Sequence, residues 1–224
     1  TTTTEGLFKH STRDIAFTLV VNDFAIKYTN KADADHLIAC IRKKYKKFKV
    51  DWEAKQYIGI NLKWNHTDCT VELSMNGYVE QELLELKHSK PKQHFKGPSK
   101  AIPKEYGKRI QYSTTDDSPP MTPQEIKRKQ RAVGKFLFYA RAIDNIMLDA
   151  LNDIATSKDT QATLKAIKYF LNYAACNPNA SIMHRASDMQ LTIESDAAYL
   201  VCPQARSRAG GFHYLSNKAG TTFN

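Results

Sequence analysis

Two β-rich runs separated by two residues dictate a hairpin near the start of the chain. Ile15-Ala16-Phe17-Thr18-Leu19-Val20-Val21 and Phe24-Ala25-Ile26-Lys27-Tyr28 are rich in β-branched and aromatic residues, and Asn22-Asp23 alone joins them. A two-residue connection forces antiparallel pairing and places Asn22 and Asp23 at the tip, clear of the sheet. On residue type alone the pair is an ordinary turn, because Asn and Asp tolerate positive φ. The other reading is chemical: a carboxylate on such a tip is displayed to solvent and suits a hard cation such as Mg²⁺.

The segments that follow can be placed from periodicity. A helix is expected from Lys31 to Phe48, with Ala34, Leu37, Ile38, Ile41, Tyr45 and Phe48 on one stripe and Arg42, Lys43, Lys44, Lys46 and Lys47 on the far face. Tyr57 to Trp64 and Thr70 to Met75 read as a second hairpin turned by Asn65-His66-Thr67-Asp68 and broken at Asn76-Gly77. Gly59 within the first strand fits a close backbone approach or a bulge. A helix is expected from Tyr78 to His88, with Val79, Leu83 and Leu86 in register.

From Ser89 to Arg131 the periodicity disappears. Pro91, Pro98, Pro103, Pro119, Pro120 and Pro123 alternate with Lys90, Lys92, Lys96, Lys100, Lys104, Lys108 and Arg109, so residues 91–130 read as a basic linker, either a strap over a surface or a plain connector. Thr122-Pro123 with Glu125 then signals a helix start. Val133, Phe136, Leu137, Ala140, Ile143, Met147, Leu151 and Ile154 form one long stripe, and Ala162, Ala166, Ile167, Phe170, Leu171 and Ala174 a second, expected to pair antiparallel across Ser157-Lys158-Asp159. The last forty residues open a new sheet: Met189 to Ile193 alternates into Glu194-Ser195-Asp196, and Gly210 to Leu215 returns.

Together these segments resemble the reverse transcriptase and RNase H region of a copia-like long-terminal-repeat retrotransposon polyprotein. Gly6-Leu7-Phe8-Lys9 followed by Leu19-Val20-Val21-Asn22-Asp23-Phe24 is similar to the palm segment ending in the family's Tyr-x-Asp-Asp box, with Val20 in the Tyr place and Asn22 in the first Asp place. Gln56-Tyr57-Ile58-Gly59-Ile60-Asn61-Leu62 resembles the primer grip, and Leu73 to Val79 the strand and helix after it. Ala132 to Tyr139 and Leu164 to Leu171 resemble the helices that lead to RNase H. Glu194-Ser195-Asp196-Ala197-Ala198-Tyr199 and Arg206-Ser207-Arg208-Ala209-Gly210-Gly211 resemble the opening of that nuclease.

The resemblance implies an α+β fold: a palm-like antiparallel sheet with helices over residues 1–90, the linker at 91–130, a helical connection at 131–184 and a truncated RNase H-like sheet at 185–224. It implies catalytic and metal-binding roles for Asp23 and Asp196, with Asn22 a degenerate catalytic position. It also implies contact with an RNA–DNA hybrid or duplex through Tyr57, Ile58 and Gly59, with Arg42, Lys43, Lys46 and Lys47 on phosphates. The family uses Mg²⁺, in pairs that clamp an in-line displacement. Here an amide replaces one carboxylate, and an upstream palm Asp and the later RNase H carboxylates would lie outside the chain. The expectation is therefore an ancestral RNA-directed DNA polymerase that binds Mg²⁺ unproductively and is inert alone; the alternative is a domesticated nucleic-acid-binding or assembly protein.

Composition agrees without specifying any of this. The 224 residues carry a formal charge of +10, which favours a polyanionic partner. Cys40, Cys69, Cys176 and Cys202 are isolated and lack zinc or redox spacing. No apolar run approaches the ~20 residues of a membrane span, and the Thr-rich start lacks a signal-peptide core. An intracellular protein, cytoplasmic or nuclear and off the membrane, is expected. Unpaired sheet edges would invite a protein partner or a second copy.

Overall fold

The computed structural model describes residues 5–100, 116–202 and 206–219. It is an α+β structure of antiparallel sheets and helices, divided into two compact units, Thr1–Trp64 and Asn65–Asn224. The boundary falls inside the stretch expected to form a single palm-like unit. Among the described residues no helix is long and apolar enough to cross a membrane.

The first unit begins with a three-stranded antiparallel sheet of β1 (Leu7–Lys9), β2 (Ile15–Val20) and β3 (Asp23–Tyr28), in that order. Cross-strand rings stiffen it. Phe8 lies opposite Phe17 with ring centroids 4.8 Å apart, and Phe24 approaches Phe17 diagonally at 5.8 Å. The helix α1 (Lys31–Lys44) follows, capped by the Asn30 side chain, which accepts from the Ala32 N–H at 2.9 Å. Ala34 and Ile38 of α1 are buried, as is Ile15 of β2. Two short strands, β4 (Gln56–Tyr57) and β5 (Ile60–Asn65), complete the unit.

Three expectations are corrected here. The hairpin tip is Val21-Asn22, because Val20 pairs with Asp23 and thereby draws Asp23 into β3. The helix ends at Lys44, with Tyr45 already extended at φ −114°, ψ 106°. Continuing it to Phe48 would stack Arg42 on Lys46 and Lys43 on Lys47 at i, i+4 spacing, where like charges repel. The third concerns Gly59, which sits not within a strand but in a two-residue turn. Ile58 and Gly59 have φ of 47° and 82°, both left-handed, and Tyr57 pairs with Ile60 across them.

The first of these corrections has a measurable consequence. Val21 is held at φ 56° although it is β-branched, and it is 95% exposed, so it is strained and buries nothing in return. Glycine suits the first central position of a primed hairpin turn. Val21→Gly is expected to stabilise the chain by about 1 kcal/mol, the strain relieved less the entropy of glycine. Urea denaturation followed at the first unit measures this, and a loss of stability would show that the turn is not strained.

The second unit contains β6 (Thr70–Ser74), α2 (Tyr78–Glu85), α3 (Pro123–Ala142), α4 (Met147–Thr156), α5 (Gln161–Cys176), β7 (Ser181–Arg185), β8 (Gln190–Cys202) and β9 (Arg206–Ser216). β6 pairs antiparallel with β7, and β8 with β9. Phe136, Tyr139, Met147, Leu151, Ile167, Phe170 and Leu171 fill the core between α3, α4 and α5. Thr122 and Glu125 form a reciprocal capping box with Pro123 in the first turn, so α3 starts where the sequence signals. Residues 93–100 form no helix or strand but pack on α5: Phe95 is buried edge-on against Tyr169 at 4.8 Å, and Asn177 Nδ2 donates to the Phe95 carbonyl at 3.1 Å. Pro103, Lys104, Lys108 and Arg109 of the linker lie outside the described residues.

The long stripe from Val133 to Ile154 is two helices rather than one. α3 ends at Ala142, and Ile143-Asp144-Asn145-Ile146 separate it from α4. Asp and Asn side chains compete for nearby backbone groups and so favour helix ends. Asp144 accepts from the Ile146 N–H and forms no salt bridge among the described residues, and at 6% exposure its burial raises its pKa above the ordinary carboxylate value. Tyr139 and Tyr173 are the titratable groups beside it.

A raised acid pKa means that Asp144 favours the fold below its unfolded value near 3.8, and that this contribution is lost as pH rises through the folded value. Asp144→Asn keeps the acceptor and removes the charge. It is expected to add about 1 kcal/mol, or roughly 2–4 °C in Tm, at pH 7 and nothing at pH 3. Equal effects at both pH values would show that the carboxylate is not penalised by burial.

Two lysines tie the helices together. Lys135 Nζ sits 2.8 Å from Oε1 and 2.5 Å from Oε2 of buried Glu82, and 3.1 Å from Glu85, which also pairs with Arg131. Lys135, then Arg131, holds the Glu85 carboxyl below its usual range. Lys129, 6% exposed, places Nζ 2.8 Å from both the Ser157 carbonyl and Asp159 Oδ1, and so clamps α3 to the α4–α5 connection.

Candidate nucleic-acid interface

A basic tract lies at the end of α1 and just beyond it. Residues 36–50 contain no carboxylate, while Arg42, Lys43, Lys44, Lys46, Lys47 and Lys49 are all exposed. Among the described residues, Arg42, Lys43, Lys44, Lys46 and Lys47 form no salt bridge. Arg42, Lys43 and Lys44 complement the negative end of the α1 dipole. Lys46, Lys47 and Lys49 lie beyond the helix, and that account does not reach them.

Exposed rings stand among these cations. Tyr45 is 55% exposed, Phe48 37% and Trp52 47%. The Arg42 guanidinium lies 5.7 Å from the Phe48 ring centroid, Lys44 Nζ 6.0 Å from Tyr45, and Lys31 Nζ 4.9 Å from Trp52. Trp52 sits on an ordered turn: the Asp51 carboxylate accepts the N–H groups of Glu53 at 3.0 Å and Lys55 at 2.8 Å, and Trp64 Nε1 donates to the Ala54 carbonyl at 3.0 Å. These bonds, led by the one from Lys55, lower the Asp51 pKa.

The primer-grip-like residues lie in the same unit. The Tyr57 hydroxyl is 2.8 Å from Thr18 Oγ1, which fixes β4 against β2 four residues before Asn22. Ile58 and Gly59 form the turn beyond. A Cβ built on Gly59 meets no atom within 4 Å, so its left-handed φ, not crowding, is what calls for glycine there.

The acidic positions lie on the surface of their units. Asn22 and Asp23 are exposed at the tip and the first residue of β3, offering one charged oxygen ligand between them. Asp196 is exposed on β8 opposite Gly210, and its Oδ1 accepts from the Ala197 N–H at 2.9 Å. Asp23 and Asp196 belong to different units. Among the described residues no group of three or more His, Cys, Asp or Glu is placed to hold a metal ion. Mg²⁺ requires several oxygen ligands, and a pair of Mg²⁺ ions requires several carboxylates, so neither Asp23 nor Asp196 has a donor set that fits the family's metal pair.

The sequence marks the cations but does not mark Tyr45, Phe48 and Trp52 as part of one surface. The stripe assigned Tyr45 and Phe48 to a buried helix face, and only the end of α1 at Lys44 releases them. Comparison with known proteins finds no matching family model, no matching curated protein and no matching solved structure.

Proposed function

We propose that this chain is a retrotransposon-derived reverse transcriptase and RNase H fragment that catalyses neither reaction by itself and retains a nucleic-acid-binding surface. The observation that carries the binding is the carboxylate-free basic tract at the end of α1, whose cations form no salt bridge among the described residues and meet only aromatic rings. The resemblance of the ordered segments supports the ancestry. Asn22, in the place of the first metal-binding Asp, supports inertness, because an amide neutralises no cation charge. Phosphates on an RNA–DNA hybrid or duplex are the natural counter-charge for Arg42, Lys43, Lys46 and Lys47.

The test is binding to an RNA–DNA hybrid at 50 and 200 mM salt, with Mg²⁺ titrated into each. Binding that weakens steeply with salt and follows Mg²⁺ only as ionic strength is expected. Absence of binding at 50 mM salt would remove this reading, and Mg²⁺-dependent strand synthesis or RNA cleavage would overturn its inert half.

A further inference from the structure

We propose that the surface bearing Tyr45, Phe48 and Trp52 binds single-stranded nucleic acid, its bases stacking on these rings while the flanking cations hold the backbone. This deepens the nucleic-acid reading above and rests on it. A duplex keeps its bases stacked on one another and shows a flat surface only its backbone, so exposed rings gain nothing from it. An unpaired strand offers a π-face at every nucleotide, and exposed rings can stack on those faces whatever the base.

The spacing fits such a path. Lys31 marks the position of Trp52 near the start of α1, and Arg42 marks that of Phe48 near its end. At about 1.5 Å per residue these two points lie roughly 16 Å apart along the helix axis. Residues 45–52 therefore run back alongside α1, with rings at both ends of a basic stretch. At about 3.4 Å per stacked nucleotide the stretch spans roughly five nucleotides. Each ring already pairs with a cation, which restrains it in advance of binding.

Anionic membrane surfaces also attract basic tracts with aromatic residues. An amphipathic helix that binds a membrane must insert its apolar face. That face of α1 is already covered, with Ala34 and Ile38 buried. A nucleic-acid strand is therefore favoured over a lipid surface.

The experiment measures the affinity of the full chain for a labelled 12-nucleotide oligo-dT, for a blunt 12-base-pair duplex and for phosphatidylserine vesicles, all at 50 mM salt. The variants are the double substitutions Tyr45→Ala/Phe48→Ala and Tyr45→Leu/Phe48→Leu. The leucine pair keeps bulk and hydrophobicity but has no π-face, and circular dichroism checks its fold. Both pairs are expected to lose tenfold or more on oligo-dT and less than twofold on the duplex. Equal losses on the two nucleic acids, or no loss on oligo-dT, overturn the stacking site and leave the phosphate-binding surface standing. No binding to either nucleic acid overturns both readings, as does binding to vesicles alone.

Discussion

Phe136→Ala is expected to cost about 3–5 kcal/mol, enough to unfold much of the second unit at 37 °C. Phe136 is fully buried on α3, and its ring meets Phe170 of α5 edge-on, with centroids 5.3 Å apart and planes at 86°. Truncation removes the transfer energy of the ring and leaves a cavity that three helices border. Tyr139 and Ala140 on the same helix, and Met147 and Leu151 on α4, are equally buried, and the charged clamps at Lys129 and Lys135 restrain α3 from shifting inward. The exposed control Leu84→Ala, at 78% exposure, should change stability by no more than about 0.5 kcal/mol. Urea denaturation followed by far-ultraviolet circular dichroism reads both. A cost below about 1 kcal/mol for Phe136→Ala would mean that the seam between α3 and α5 repacks freely.

The parts of this architecture legible in the sequence are those fixed by local chemistry. Thr122, Pro123 and Glu125 announce α3 because a capping box is completed within four residues. Val79, Leu83 and Leu86 announce the buried side of α2 because a helix returns to one face every 3.6 residues. Periodicity could not see the break at Asp144, since Ala140, Ile143, Met147 and Leu151 keep helical spacing on both sides of it. The turn at Ile58-Gly59 was hidden for a related reason: Ile58 looks like a strand residue, and its left-handed backbone is set by the pairing of Tyr57 with Ile60. β7 was missed altogether. Its partner β6 lies more than a hundred residues earlier, so only the folded chain shows why Ser181 to Arg185 is extended. At the candidate site, the cations were legible as charge, whereas the rings among them depended on where α1 stops.

Replacing Arg42, Lys43, Lys46 and Lys47 together by Gln should nearly abolish binding to an RNA–DNA hybrid. Each phosphate neutralised releases condensed counterions, contributing about −0.7 to −0.9 to the slope of log K against log salt. Four contacts give a slope near −3, so a fourfold rise from 50 to 200 mM salt weakens the wild-type chain roughly a hundredfold. The variant should bind at least a hundredfold more weakly at 50 mM and respond little to further salt. Glutamine preserves most of each stem and is itself a good helix former, so a folding defect does not mimic the result. If the variant keeps the wild-type slope, the electrostatic contact lies elsewhere, and Lys90, Lys92, Lys96 and Lys100 become the next cations to remove.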